Sequence, residues 1–179
     1  MNILVISAHP NLQESRGNEA LARELTSYDH IHFHNIYQQY PDWNIDVEKE
    51  QQLLLAHDRV VFQFPVFWYS TPPLLKKWFD DVLTYGWAYG PGGNQLQGKE
   101  FLAAVTTGGT EKQYRSGGQN AFTISELLRP IQATVTKING TYLPAFVLYH
   151  VQERTDEYLA DRAKAYVEHI RQDAAALVY

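Results

Sequence analysis

Residues 59–89, RVVFQFPVFWYSTPPLLKKWFDDVLTYGWAY, decide how this chain is read. Val60, Val61, Phe62 and Phe64 form a short run of β-branched and aromatic residues, the pattern of a parallel strand covered on both faces. Pro65 closes the run, and Val66, Phe67, Trp68 and Tyr69 crowd flat side chains into the loop that follows. Ser70 or Thr71 can cap a helix whose first turn holds Pro72 and Pro73. Leu75, Trp78, Phe79 and Val82 then recur on one helical face. A strand, an aromatic loop and a helix in direct succession make a slot for a planar ligand at the carboxyl end of the strand, where open α/β sheets hold their ligands.

On the N-terminal side, Asn2 to Ser7 reads as a first buried strand. Ala8, His9 and Pro10 open a polar loop, and Ser15 caps a helix with Asn18 in its first turn and Leu21, Ala22 and Leu25 inward. Backbone N–H groups and a positive dipole end at such a junction suit a phosphate. Neither G-x-G-x-x-G nor G-x-x-x-x-G-K-[ST] is present, which disfavours a dinucleotide fingerprint and a Walker loop. Ile31 to Ile36 alternates as a second strand. Its His30, His32 and His34 are expected on an outward polar face, with no metal site. Tyr37 to Asp46 is a long connection, and Asp46 caps a helix through Ala56 on which Glu48, Lys49 and Glu50 read as a solvated face.

On the C-terminal side, the glycines between Gly90 and Gly98 mark a loop. Phe101 to Val105 is a buried strand that runs into Thr106, Thr107, Gly108 and Gly109, where backbone can approach a ligand closely. Phe122 to Thr136 reads as a helix despite Pro130, Thr141 to His150 as a fifth strand, and Leu159 to Leu177 as the apolar stripe of one last helix. Strand and helix alternating five times predict one α/β domain over residues 1–179, with helices on both faces of a five-stranded parallel sheet. The flavodoxin-like order 2-1-3-4-5 brings the loops at His9 to Asn18, Val66 to Tyr69 and Thr106 to Gly109 to one crevice.

Composition agrees with a soluble globular protein. Hydrophobic residues make up 45% of the 179, enough for one sizeable core. A net charge of −5 with no basic cluster argues against nucleic acid as a partner. The absence of cysteine removes disulfides, thiol nucleophiles and zinc-thiolate sites and fits a cytoplasmic location. Met1 and Asn2 lead straight into the first strand, so neither a signal peptide nor a bilayer-spanning stretch is expected.

AHP after the first strand, SRGN at the helix start, WYSTPPLLKKWFDDVL, GWAYG and TTGG stand in an order that resembles the flavodoxin-like NAD(P)H:quinone oxidoreductases, the DT-diaphorase superfamily. The resemblance covers essentially the whole chain. IYQQYPDWNID, GWAYGPGG and LLRPIQAT look closest to the ancillary oxidoreductases of glutathione-gated potassium-efflux systems, and bacterial general stress flavoproteins share much of the pattern. It implies FMN rather than FAD, because longer members use their extra length to hold the adenylate. His9, Ser15, Arg16, Gly17 and Asn18 would hold the phosphate end. Val66, Phe67, Trp68, Tyr69, Thr106, Thr107, Gly108 and Gly109 would frame the isoalloxazine ring.

NAD(P)H is the implied electron donor and a quinone the acceptor. Tyr114 matches the family's catalytic tyrosine, while Asn120 stands where the family has a histidine, and asparagine cannot carry a proton in turnover. Members are homodimers, so Trp87 and Tyr89 of GWAYG would line a shared substrate pocket and be exposed in a monomer. The alternative role is a regulatory subunit on a membrane potassium-efflux protein, peripheral at the inner membrane through protein contacts. A one-electron carrier of the flavodoxin type ranks lower.

Overall fold

A computed structural model describes residues 1–177. Its parallel sheet is built from β1 (Ile3–Ser7), β2 (Ile31–Asn35), β3 (Arg59–Pro65), β4 (Glu100–Thr106), β5 (Thr141–Tyr142) and β6 (Phe146–Leu148). The order is β2-β1-β3-β4-β5, the flavodoxin-like arrangement, with β6 also paired to β4. Side chains alternate between two cores. Ile3, Val5, Val61 and Leu102 face α1 (Arg16–Leu25) and α7 (Asp156–Arg171). Leu4, Ile6, Val60, Phe62 and Phe101 face α2 (Ile36–Gln39), α3 (Val47–Ala56), α4 (Pro73–Val82), α5 (Ile124–Leu127) and α6 (Arg129–Lys137). A short α8 (Ala174–Leu177) follows, and no described helix is long and apolar enough to cross a membrane.

Four sequence expectations are corrected by local chemistry. The fifth strand is two pieces, because Phe101↔Tyr142 and Ala104↔Phe146 leave one extra residue on the edge side, a bulge at Pro144, which has no N–H for the ladder. The 122–136 helix breaks at Leu128. Pro130 cannot donate to the carbonyl four residues earlier, while Thr123 and Glu126 form a capping box for the first piece. The last helix stops at Arg171, where the buried Arg59 guanidinium donates to the carbonyls of Ile170 (2.6 Å) and Gln172 (2.8 Å) and pairs with Glu100.

The fourth correction concerns charge inside the fold. His34 and Glu50 are buried, at 7% and 0% exposure, rather than on solvated faces. Glu50 Oε1 accepts from Tyr40 Oη at 2.5 Å and lies 2.7 Å from His34 Nε2, and Oε2 accepts from Trp78 Nε1 at 2.8 Å. Burial pushes the Glu50 carboxyl up, but these hydrogen bonds and the His34 charge outweigh it and hold the group below the usual range. The node fastens β2 and α3 to α4, the helix that begins just after the aromatic loop.

Candidate active site

Three loops leave the carboxyl ends of β1, β3 and β4 and are tied to one another. Val66 N donates to Thr106 O at 2.9 Å, Ala8 N to Gln63 O at 2.8 Å, and the His9 and Phe67 rings meet edge to face with centroids 6.1 Å apart. Asn18 Nδ2 donates to Thr106 Oγ1 at 2.8 Å, and Gln63 Nε2 to Asn18 O at 3.0 Å, so α1 is fastened directly to the ends of β3 and β4. Gly17 makes this approach feasible, since a Cβ there would meet Val151 Cγ1 at 2.8 Å.

The first loop ends in the α1 N-terminus. Ser15 Oγ accepts from Asn18 N and Nδ2, which leaves its own proton uncommitted. His9 Nδ1 accepts from Asn11 N at 3.1 Å, and burial lowers the His9 pKa, so the ring is neutral with its proton on Nε2. The Arg16 guanidinium points elsewhere. It donates to the carbonyls of Gln152 and Arg154 and pairs with Asp156 at 2.7 Å, so only its backbone N–H belongs to the helix terminus.

The second loop is a tight reversal. Phe67 N donates to Ser70 O at 3.0 Å and Ser70 N to Phe67 O at 2.9 Å, and the two residues between them, Trp68 and Tyr69, have φ of 47° and 64°. Positive φ at both central positions defines a type I′ turn, a geometry that favours Asn-Gly over two bulky aromatics. The turn pushes Trp68 into solvent at 93% exposure, with Phe67 and Tyr69 also exposed.

The third loop carries Tyr114 and Asn120. Tyr69 Oη donates to Asn120 Oδ1 at 3.3 Å, and a Cβ on Gly109 would meet Tyr114 Cε2 at 2.9 Å, so Tyr69, Gly109, Tyr114 and Asn120 share one corner. Burial and the neighbouring Tyr69 push the Tyr114 phenol up, which keeps it a hydrogen-bond donor at neutral pH. The Thr106 and Thr107 side chains are buried and hydrogen-bonded within the protein, so the stretch from Thr106 to Gly109 offers the crevice backbone only. Among the described residues, the N–H groups of Trp68, Tyr69, Gly108 and Gly109 have no protein acceptor.

Trp87 and Tyr89 lie outside this corner. Both are half-buried against the α3/α4/α6 core rather than exposed, and Lys137 Nζ sits 5.8 Å from the Tyr89 ring centroid. The exposed aromatic of that loop is Tyr85, at 68%. His150 and Gln63 belong to the site and were not singled out from sequence. A polar residue inside the apolar run of β3 was the available signal for Gln63.

The profile of a family described as Flavodoxin-like fold matches residues 1–170. The chain belongs to that family. Within the flavodoxin-like fold family, an NAD(P)H oxidoreductase of Bacillus subtilis, YdeQ, is 50% identical over 95% of this chain and 86% of its own length. The ancillary protein KefG of a glutathione-regulated potassium-efflux system in Salmonella paratyphi B is 39% identical over 97% and 95% of the two chains.

Among solved structures, general stress protein 14 of Treponema denticola in complex with FMN is 37% identical, with a TM-score of 0.90 over 94% of this chain and 97% of that one. An NADPH-quinone reductase of P. pentosaceus is 32% identical, with a TM-score of 0.89 over 97% and 99%. A structure described as a thermophilic tryptophan halogenase from Streptomycin violaceusniger is 52% identical, with a TM-score of 0.93 over 95% and 99%.

Proposed function

We propose that the chain is an FMN-dependent NAD(P)H oxidoreductase that passes two electrons to quinone-like acceptors. One observation carries the reading: unpaired donors and flat side chains converge on one rim from three loops distant in sequence. The donors match an FMN. The α1 N-terminal N–H groups, the Ser15 hydroxyl and the neutral His9 Nε2–H form a set for a phosphate dianion. Phe67, Trp68 and Tyr69 offer aromatic walls, and the Gly108 and Gly109 N–H groups suit the polar edge of a ring.

Bound flavin supplies hydride acceptance from NAD(P)H and delivery to an acceptor. The chain's part is to hold and to stabilise. Tyr114 offers its phenolic proton as a donor beside Gly109, and Asn120, already accepting from Tyr69, offers its amide N–H but no titratable proton. Arg16 acts through its backbone, and Asn18 acts by joining the phosphate end to Thr106. FAD is the alternative flavin, disfavoured by the FMN complex of a 37% identical relative.

As a homodimer, the protein would use Trp87 and Tyr89 as substrate-pocket walls, and Tyr89→Ala would raise the KM for quinone with flavin still bound. Unchanged kinetics would remove the shared pocket. The 39% identity to KefG favours a second role, docking on a membrane potassium-efflux protein from the cytoplasmic side. Assaying channel activation with the Tyr114→Phe protein separates docking from turnover. The test of the main reading is NADPH oxidation with a benzoquinone, dependent on added FMN. Chloride-dependent tryptophan chlorination in its place would favour the halogenase name that one similar structure carries.

A further inference from the structure

Three consecutive carbonyls of the third loop are held by His150 and Val151, the second and third residues after β6. Val151 N donates to Thr107 O at 3.1 Å, and His150 N to Gly109 O at 3.0 Å. Between them, His150 Nδ1 lies 3.0 Å from Gly108 O. A carbonyl oxygen only accepts, so Nδ1 carries a proton there. In a planar trans peptide, the C=O and the next N–H point in opposite directions. Turning the Thr107 and Gly108 carbonyls toward His150 and Val151 therefore turns the Gly108 and Gly109 N–H groups the other way, and among the described residues neither of these donors has a protein acceptor.

His150 can serve two adjacent carbonyls, one from its backbone and one from its ring, because its backbone is left-handed, with φ of 60°. That conformation is uncommon for a non-glycine residue, and local strain of this kind gathers at functional sites. Thr107 Oγ1 adds a second donor to Gly109 O at 2.8 Å, so the Gly109 carbonyl stays anchored without the imidazole. The Gly108 carbonyl has no donor other than His150 among the described residues.

We propose that His150 is a positioning residue that aims the Gly108 and Gly109 N–H pair at the polar edge of the bound flavin. The proposal rests on the flavin reading above. Fixed donors aimed where negative charge develops favour the charged form without reorganising. A bound flavin gains negative charge on reduction, so this pair favours the reduced ring over the oxidised one.

Three substitutions test it. His150→Gly removes the ring and suits a φ of 60°, His150→Asn tolerates that φ and returns an N–H donor near the Nδ1 position, and His150→Gln carries its amide too far along. FMN affinity and the two-electron midpoint potential are measured for each, after thermal unfolding has established that it folds. His150→Gly and His150→Gln are expected to bind reduced FMN about tenfold more weakly relative to oxidised FMN, a fall of about 30 mV. His150→Asn is expected to stay within about twofold of the parent, less than about 0.4 kcal/mol. An unchanged potential in His150→Gly and His150→Gln overturns the proposal and leaves the flavin reading standing. A loss that His150→Asn fails to restore overturns it as well, because ring bulk would then be the cause. A parent protein that does not bind FMN overturns both.

Discussion

Trp68→Gly should make the ligand-free protein more stable and the flavin crevice weaker. Trp68 and Tyr69 both sit at positive φ in the turn between Phe67 and Ser70, and an L-residue there costs about 1–2 kcal/mol. At 93% exposure, the indole recovers almost none of this by burial. Glycine relieves the strain and adds about 0.5–1 kcal/mol of backbone entropy loss on folding, for a net gain of about 0.5–1 kcal/mol. For a chain of this length, each kcal/mol moves Tm by about 2–4 °C, so differential scanning calorimetry of the apoprotein should show a rise of about 1–4 °C. Removing one aromatic wall costs about 0.5–1.5 kcal/mol of contact, so FMN should bind about two- to tenfold more weakly by fluorescence quenching. A lower Tm would refute the strain argument, and an unchanged FMN affinity would refute the placing of Trp68 against the ring.

Glu50→Ala should cost about 3–5 kcal/mol in urea unfolding, because it leaves His34, Tyr40 and Trp78 facing a buried gap, and Glu50→Gln should cost clearly less. The native Glu50 pKa is lowered, so the native state binds fewer protons than the unfolded one. Its contribution is complete above the unfolded carboxylate pKa and is lost as pH falls through the lowered native value, so Glu50→Gln should flatten the acid limb of urea midpoints against pH. Ser15→Ala should lower stability by about 1 kcal/mol and weaken FMN but not riboflavin, which isothermal titration of both ligands would check. Tyr114→Phe should keep FMN bound and slow NADPH-to-quinone turnover by about tenfold, about 1.4 kcal/mol on the barrier, as read by stopped-flow absorbance.

Strand order and the meeting of three loops were legible because both follow from periodicity and from the rule for parallel sheets. The breaks were not. Pro130 and Pro144 stood in plain view. Pro130 lacks the N–H that its own helix needs, a local matter masked by the apolar periodicity of 122–136, whereas the bulge at Pro144 depends on pairing with β4, a fact of tertiary structure. Glu50 and His34 were read as solvated because local pattern prices charge as surface, whereas here the two, with Tyr40 and Trp78, satisfy one another in the interior. His150 carried no periodic or motif signal, and its relation to Gly108 arises only once β6 lies beside β4. The resemblance implies Arg16 at the phosphate end, and the structure commits its guanidinium to the carbonyls of Gln152 and Arg154 and to Asp156 at the start of α7.

The most direct test is a titration of FMN into the purified apoprotein, followed at visible wavelengths, with riboflavin and inorganic phosphate as separate arms. The account predicts saturable binding of one FMN per chain, weaker binding of riboflavin, and bleaching of the bound chromophore by one equivalent of NADPH with recovery on adding quinone. A protein that leaves the FMN spectrum and fluorescence unchanged under native conditions would contradict it.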